Sequence, residues 1–185
     1  MDKLSKITKI NQIFTIGYSI RPIETFIQLL KTYKIEMLID IRTIPKSRHR
    51  PEYNEENLKK TLKENKIHYR HIKELGGLRH TSKDSINTGW INASFRGFAD
   101  YLETSSFQRG LKKLEEIAQK KQCVLMCAEG VFWRCHRSLI ADVLTLEKWK
   151  VFHIQSKKTA SPHKITPFLQ IKNKLIFYPE TPKLE

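Results

Sequence analysis

The feature that most restricts how this chain can fold is an alternation between two hydrophobic patterns. Short apolar runs with no helical period stand between longer stretches in which apolar residues recur every three or four positions. Ile13-Phe14-Thr15-Ile16-Gly17 is the first run, rich in β-formers and ended by glycine. Met37-Leu38-Ile39-Asp40-Ile41 and Cys123-Val124-Leu125-Met126-Cys127 have the nearly continuous apolar character of strands covered on both faces. Ile67 to Ile72 and Trp149 to Ile154 read as two more strands. Helical spacing predicts helices from Pro22 to Lys34, where proline suits the first turn, and from an Asn54 cap to about Asn65. Two more run from Ala93 to Leu102 and from Phe107 to Ala118. A last helix opens at Arg134 or Cys135, with Leu139, Ile140, Val143 and Leu144 on its inner face. Prolines exclude regular structure between Arg42 and Pro51, Gly76-Gly77 breaks the chain, and the polar stretch from His80 to Asn92 reads as a mobile loop. Phe168 to Tyr178 reads as a hairpin turning at Lys172-Asn173.

Strands alternating with helices imply βαβ units. The expected class is therefore α/β: a single-domain, three-layer fold with a mostly parallel sheet of about five strands and a small C-terminal hairpin. Residues 1–185 are expected to form that one domain, with 1–11 as a flexible leading segment.

Charge and cysteine usage narrow the function. A formal net charge of +15 over 185 residues favours anionic partners, either a small anionic molecule or nucleic acid, although a lysine-rich composition also raises charge without any site. Met1 to Asn11 has no continuous apolar core, and no later segment approaches the roughly 18 apolar residues a membrane span needs. No membrane association is expected. Three cysteines, an odd number in a chain without an export signal, point to reduced thiols in the cytoplasm. Oligomeric state is not legible from the residues.

In a parallel α/β sheet, ligands sit beyond the carboxyl ends of the strands. The segments expected there are Tyr18-Ser19, the basic stretch that follows Asp40 and includes Arg42 and Arg48, Gly76-Gly77-Leu78-Arg79, and Cys127-Ala128-Glu129 with Arg134-Cys135-His136-Arg137. A cysteine leaving a strand just before a helix N-terminus meets backbone N–H groups and partial positive charge. Nearby arginines favour its thiolate, the nucleophilic form. On this reading Cys127 is the nucleophile, and Arg134 and Arg137 bind an oxyanion with the loop backbone. Glu129 or His136 moves protons, and Arg42 with Arg48 holds the anionic remainder of the substrate. Tyr18, Ser19, Asp40 and Arg79 complete the binding edge. Cysteine phosphatases and rhodanese-type sulfurtransferases share this strand–cysteine–loop–arginine–helix logic, and Leu38-Ile39-Asp40-Ile41-Arg42 resembles the rhodanese Asp-Val-Arg strand. Six residues separate Cys127 from Arg134 and nine separate it from Arg137, spacings that match neither family, so the comparison stands as analogy.

Plainer readings stand beside these. A cysteine ending a hydrophobic strand is commonly a small buried side chain, and Cys123, inside the strand, reads as packing. Cys135 is open between packing and a resolving or redox role. Glu129 could pair with Arg134, and Arg42, Arg48 and Arg79 could each hold a loop through an ion pair with Asp40 or Glu74. Trp90 and Trp133 could stack on a base or close the core. Cys127, Cys135 and His136 are metal-ligand types, with His49, His68, His71 and His80 elsewhere. The spacing matches no paired ligand signature, and adjacent Cys135 and His136 are expected to point in different directions. No metal and no cofactor are therefore expected.

Thr15-Ile16-Gly17-Tyr18-Ser19, Asp40-Ile41-Arg42, Pro45-Lys46-Ser47-Arg48, Leu75-Gly76-Gly77-Leu78-Arg79, Phe95-Arg96-Gly97-Phe98-Ala99-Asp100-Tyr101 and Cys127-Ala128-Glu129 with Arg134-Cys135-His136-Arg137 together carry a resemblance. The chain is similar to the bacterial and archaeal proteins grouped as domain of unknown function 488, from about residue 13 to the C-terminal hairpin. The resemblance implies an α/β domain and brings no activity with it. The reading that results is a cysteine-dependent enzyme acting on a phosphate- or sulfur-bearing substrate, a nucleotide or nucleic acid among the options. The rival is a non-catalytic module whose basic edge grips nucleic acid or another anion. A third reading is a regulatory domain built on an enzyme fold.

Overall fold

The apolar runs pair as parallel strands, and the periodic stretches pack as helices on both faces of the sheet they form. The structure, a computed structural model, describes residues 11–180. The expected flexible segment 1–11 therefore lies, apart from Asn11, outside the described residues. Six strands form one sheet: β1 (Gln12–Gly17), β2 (Met37–Asp40), β3 (His68–His71), β4 (Cys123–Cys127), β5 (Lys150–Ile154) and β6 (Ala160–Pro162), in the order β3-β2-β4-β1-β5-β6. All pairings are parallel except β5 with β6. β6 is the strand the sequence pattern did not reveal, because two half-buried residues and an exposed proline carry no periodicity.

Alternation along the central strands sorts the core into two layers. Phe14, Ile16, Leu38, Val124 and Met126 pack with α1 (Ile23–Thr32) and α2 (Glu55–Glu64) on one face. Ile13, Ile39, Leu125 and both Cys123 and Cys127 face α3 (Ala93–Tyr101), α4 (Ser105–Ala118) and α5 (Arg137–Leu146) on the other. The result is a three-layer α/β fold. The small hairpin of β7 (Gln170–Lys172) and β8 (Leu175–Phe177) lies outside the main sheet. Its two-residue turn is Asn173-Lys174, both with positive φ, as a tight hairpin requires, one position later than the spacing implied.

Two helix starts differ from expectation. Asn54 precedes α2 but its Oδ1 accepts from the Ser47 N–H at 2.6 Å, tying down the basic loop rather than capping the helix. The last helix begins at Arg137, because Phe132–Arg134 form a separate 3-10 turn that closes Cys135 N–H onto the Phe132 carbonyl. The polar stretch from His80 to Asn92 has no helix or strand, yet it is anchored. Asp100 accepts from Ser82 N–H, Ser85 Oγ and Asn87 Nδ2.

The strand order places a reversal at the centre of the sheet. β1 crosses through α1 towards β2, whereas β4 crosses through α5 on the opposite face towards β5. Loops leaving adjacent parallel strands to opposite faces open a crevice at their carboxyl ends. That crevice is where the candidate site lies.

Candidate active site

Register puts the ends of three strands at one level. Gly17 is opposite Cys127, and Asp40 is opposite Met126. Tyr18 N–H and Ser19 N–H donate to the Cys127 and Ala128 carbonyls, so the β1 and β4 exits lie against each other. A Cβ on Gly17 would stand 1.8 Å from the Glu129 carbonyl oxygen, which explains the glycine. Above these exits opens a cleft of about 520 Å³. Its walls come from the β1 loop (Tyr18, Ser19), the β2 loop (Arg42 to Ile44 and Lys46), the β3 loop (Gly77, Leu78), the start of α3 (Ser94, Phe95) and the β4 loop (Cys127 to Glu129, Arg134 to His136).

The chemistry concentrates at three side chains. Cys127 Sγ, Cys135 Sγ and a His136 ring nitrogen all lie within 4.8 Å of one another. Cys127 is 7% exposed and lines the cleft rather than pointing only into the core. Its thiol is held well below the ordinary value: the neighbouring Cys135 thiol, within 4.8 Å, favours its thiolate and outweighs the opposing effect of burial, with His136 and the Glu129 backbone adding to the effect. Cys135 is pushed well above its ordinary value by burial and then by the negative charge on Cys127. The two thiols are thus unlike, one shifted down and one shifted up.

His136 is fixed from several sides. Its Nε2 lies 3.2 Å from the Ile41 carbonyl, which can only accept, so Nε2 carries a proton. Nδ1 lies 3.6 Å from Cys135 Sγ. The ring packs on Phe98, with centroids 4.9 Å apart. Gly77 lies so close that a Cβ there would meet Nδ1 at 2.4 Å. Cys135 and His136 were expected to diverge; they converge, because both precede the first helical residue, Arg137, and the extended backbone of Cys135 turns its thiol back towards β4.

The loop between Cys127 and Cys135 is held by its own polar groups. Arg137 is 2% exposed and its guanidinium donates to the Glu129 and Gly130 carbonyls. Arg134 N–H and Cys135 N–H close onto Val131 and Phe132 carbonyls. The Glu129 carboxylate accepts from Val131 N–H at 3.1 Å rather than pairing with Arg134. Arg137 therefore braces the loop, while Arg134 stands exposed on the cleft wall.

Arg42 presents the buried cation of the site. It is 5% exposed and forks onto the fully buried Asp40 carboxylate, with Nε and Nη2 at 2.5 to 3.1 Å. Tyr69 Oη also donates to Asp40, at 2.8 Å. Burial opposes the charge on Arg42, but Asp40 outweighs it and holds the guanidinium well above its ordinary value. Its carbon lies 5.4 Å over the Tyr18 ring, itself stacked on Tyr53. The Nη1 nitrogen of Arg42 is buried with no hydrogen-bond partner.

Of the residues picked from sequence, Tyr18, Ser19, Arg42, Cys127, Glu129, Arg134 and His136 share the cleft. Asp40 and Arg137 support it from beneath. Arg48 is exposed and does not line it. Arg79 stacks on Tyr101 at 3.6 Å and donates to the Gly76 carbonyl, while Glu74 pairs with Lys113. Trp90 packs among Phe95, Phe168 and Tyr178; Trp133 is 60% exposed. Ser94 was missed, and Phe95 was named only within a family motif and not as a site residue, since only the tertiary fold brings the start of α3 to the cleft. Also missed was a buried chain in which Thr15, His153, His163 and Asp142 are linked at 2.7, 2.9 and 2.8 Å. His153 stacks on Phe132 of the β4 loop at 3.7 Å. Its members come from four separate segments and share no local pattern.

These features define a class: a three-layer α/β protein with a cysteine at the end of a central strand, opening on a cleft at the sheet's reversal point. Within that class the chain belongs to the family described as domain of unknown function DUF488, whose model matches residues 22–144. The match takes in Arg42, Cys127, Cys135 and His136. No curated protein and no solved structure matches the chain.

Proposed function

We propose that this protein is a thiol enzyme that moves sulfur from an anionic donor, with Cys127 as nucleophile and Cys135 as its partner thiol. The observation that carries this reading is the pairing, on one cleft, of a strand-end thiol within 4.8 Å of a second thiol and of Arg42, whose buried guanidinium leaves one nitrogen without a partner. An unsatisfied buried donor is costly, and a side-chain shift that brings Arg42 Nη1 onto an anionic substrate group in the cleft removes that cost. Phosphoryl transfer is supported less well. Such chemistry relies on loop amides and an arginine directed at the oxyanion, and here Arg137 and several of those amides already serve the loop's own carbonyls.

The reaction balances with a thiosulfonate donor. The Cys127 thiolate attacks the terminal sulfur, a new S–S bond forms, the donor S–S bond breaks, and a sulfinate leaves with the electron pair. Cys127 then carries a persulfide anion. A thiol acceptor takes the terminal sulfur; otherwise the Cys135 thiol attacks the inner sulfur, expels hydrosulfide and closes a Cys127–Cys135 disulfide, which a dithiol reductant reopens. His136, whose Nδ1 lies 3.6 Å from Cys135 Sγ, is placed to relay the Cys135 proton.

Steady-state transfer from a thiosulfonate to a dithiol acceptor tests this. Cys127→Ser abolishes turnover. Arg42→Lys keeps the charge beside Asp40 but loses the planar fork, and raises KM roughly tenfold with kcat little changed. An unchanged KM for the anionic donor contradicts the assignment of Arg42. The rival, a nucleic-acid module favoured by the +15 charge, predicts no turnover and salt-dependent binding that Cys127→Ser leaves intact.

A further inference from the structure

Two sulfurs and an imidazole nitrogen packed this closely offer a set of ligands as well as a reaction centre. We infer that Cys127, Cys135 and His136 form a three-ligand site for a thiophilic metal ion of the zinc class, with its fourth position open to the cleft.

The dimensions fit. Tetrahedral zinc with bonds of about 2.3 Å to sulfur and 2.0 Å to nitrogen places its ligand atoms roughly 3.5 to 3.8 Å apart. Cys135 Sγ and His136 Nδ1 are 3.6 Å apart, and the third ligand atom falls within 4.8 Å of both. Small side-chain rotations close the remainder.

The imidazole is prepared as a ligand. Nε2 is engaged by the Ile41 carbonyl, so Nδ1, 3.6 Å from Cys135 Sγ, is the nitrogen left for a metal, and a metal-bound histidine characteristically donates its other N–H to a carbonyl or carboxylate. Phe98 and Gly77 fix the ring plane, so little ordering remains for the metal to impose. This is an independent observation: the ring is oriented by the carbonyl of Ile41, just past the end of β2, not by the thiols.

The ligand types select the ion. Two thiolates and one imidazole favour zinc and softer thiophilic ions over magnesium or calcium, which take oxygen ligands. All three residues line the cleft, so water or a substrate group fills the fourth corner, the arrangement of a reactive rather than a purely structural site. Because Cys127 is shared, a bound ion masks the thiol that the sulfur-transfer reading uses. The metal-free and metal-bound states are then mutually exclusive, and the site stands whether or not that reading does.

The test is titration of reduced, chelator-stripped protein with Zn2+ in competition with a chromophoric chelator, alongside Co2+ spectroscopy. The expected result is one equivalent bound per chain, with an intense thiolate-to-cobalt charge-transfer band. Cys127→Ser, Cys135→Ser and His136→Ala each weaken binding by about two orders of magnitude or more. Cys123→Ser, which alters a thiol inside β4, leaves the affinity unchanged. Cobalt spectra of the wild type report thiolate ligation even if a variant fails to fold. No stoichiometric ion, a cobalt spectrum without the thiolate band, or equal loss on Cys123→Ser overturns the site. Metal binding without sulfur transfer in chelator sinks only the transfer reading; transfer without metal binding sinks only this one.

Discussion

At the scale of single residues, the site depends on atoms that are absent. Gly77 was legible in the sequence as half of a chain-breaking pair, but not as the floor beneath an imidazole. A Cβ at that position would meet Nδ1, Cγ and Cε1 of His136 between 2.4 and 2.8 Å. The ring cannot retreat freely, since Phe98 and the Ile41 carbonyl hold it. Gly77→Ala is therefore expected to cost about 1–3 kcal/mol through overpacking, read as a lower urea midpoint, and to slow alkylation of Cys127 as His136 shifts. A stability and thiol reactivity equal to wild type would show that the ring is mobile after all. The reach of His136 was misjudged for a related reason: adjacent residues diverge inside a helix, but Cys135 and His136 lie before the helix begins.

Among the elements, the strands were the most legible, because buried parallel strands leave nearly unbroken apolar runs. The β4 exit loop was the least legible. Its 3-10 turn at Phe132–Arg134 continues the local spacing of α5 and disguises where that helix starts. Arg137 looked like an anion ligand, since sequence cannot show that its donors face the Glu129 and Gly130 carbonyls. A lysine at that position lacks the fork to hold both. Arg137→Lys is thus expected to lose about 2–3 kcal/mol in chemical denaturation and to raise protease sensitivity between Cys127 and Cys135. If Arg137 instead served the substrate, the same change would raise KM and leave stability alone.

Across the whole molecule, the histidine chain from Thr15 to Asp142 ties β1, β5, α5 and the segment after β6 together beneath the cleft loop. Burial first, then His163 and Arg137, push His153 down to about 3. An unfolded histidine binds its proton near pH 6.5. Between these limits the unfolded chain binds more protons, so stability is complete above about pH 6.5 and falls as the pH drops towards 3. Urea denaturation is expected to show a loss of up to about 2 kcal/mol between pH 7 and pH 5, with a shallower slope in His153→Gln. An unaltered slope in that variant would place the acid sensitivity elsewhere.

The account turns on Cys127 being the reactive thiol of the cleft. Reduced protein, stripped of metal and exposed briefly to limiting thiosulfonate at neutral pH, can be read by mass spectrometry of its cysteine peptides. The predicted result is a gain of one sulfur atom at Cys127, followed by a Cys127–Cys135 disulfide, with neither species in Cys127→Ser. Sulfur appearing first on Cys123 or Cys135, or on none of the three, would contradict it.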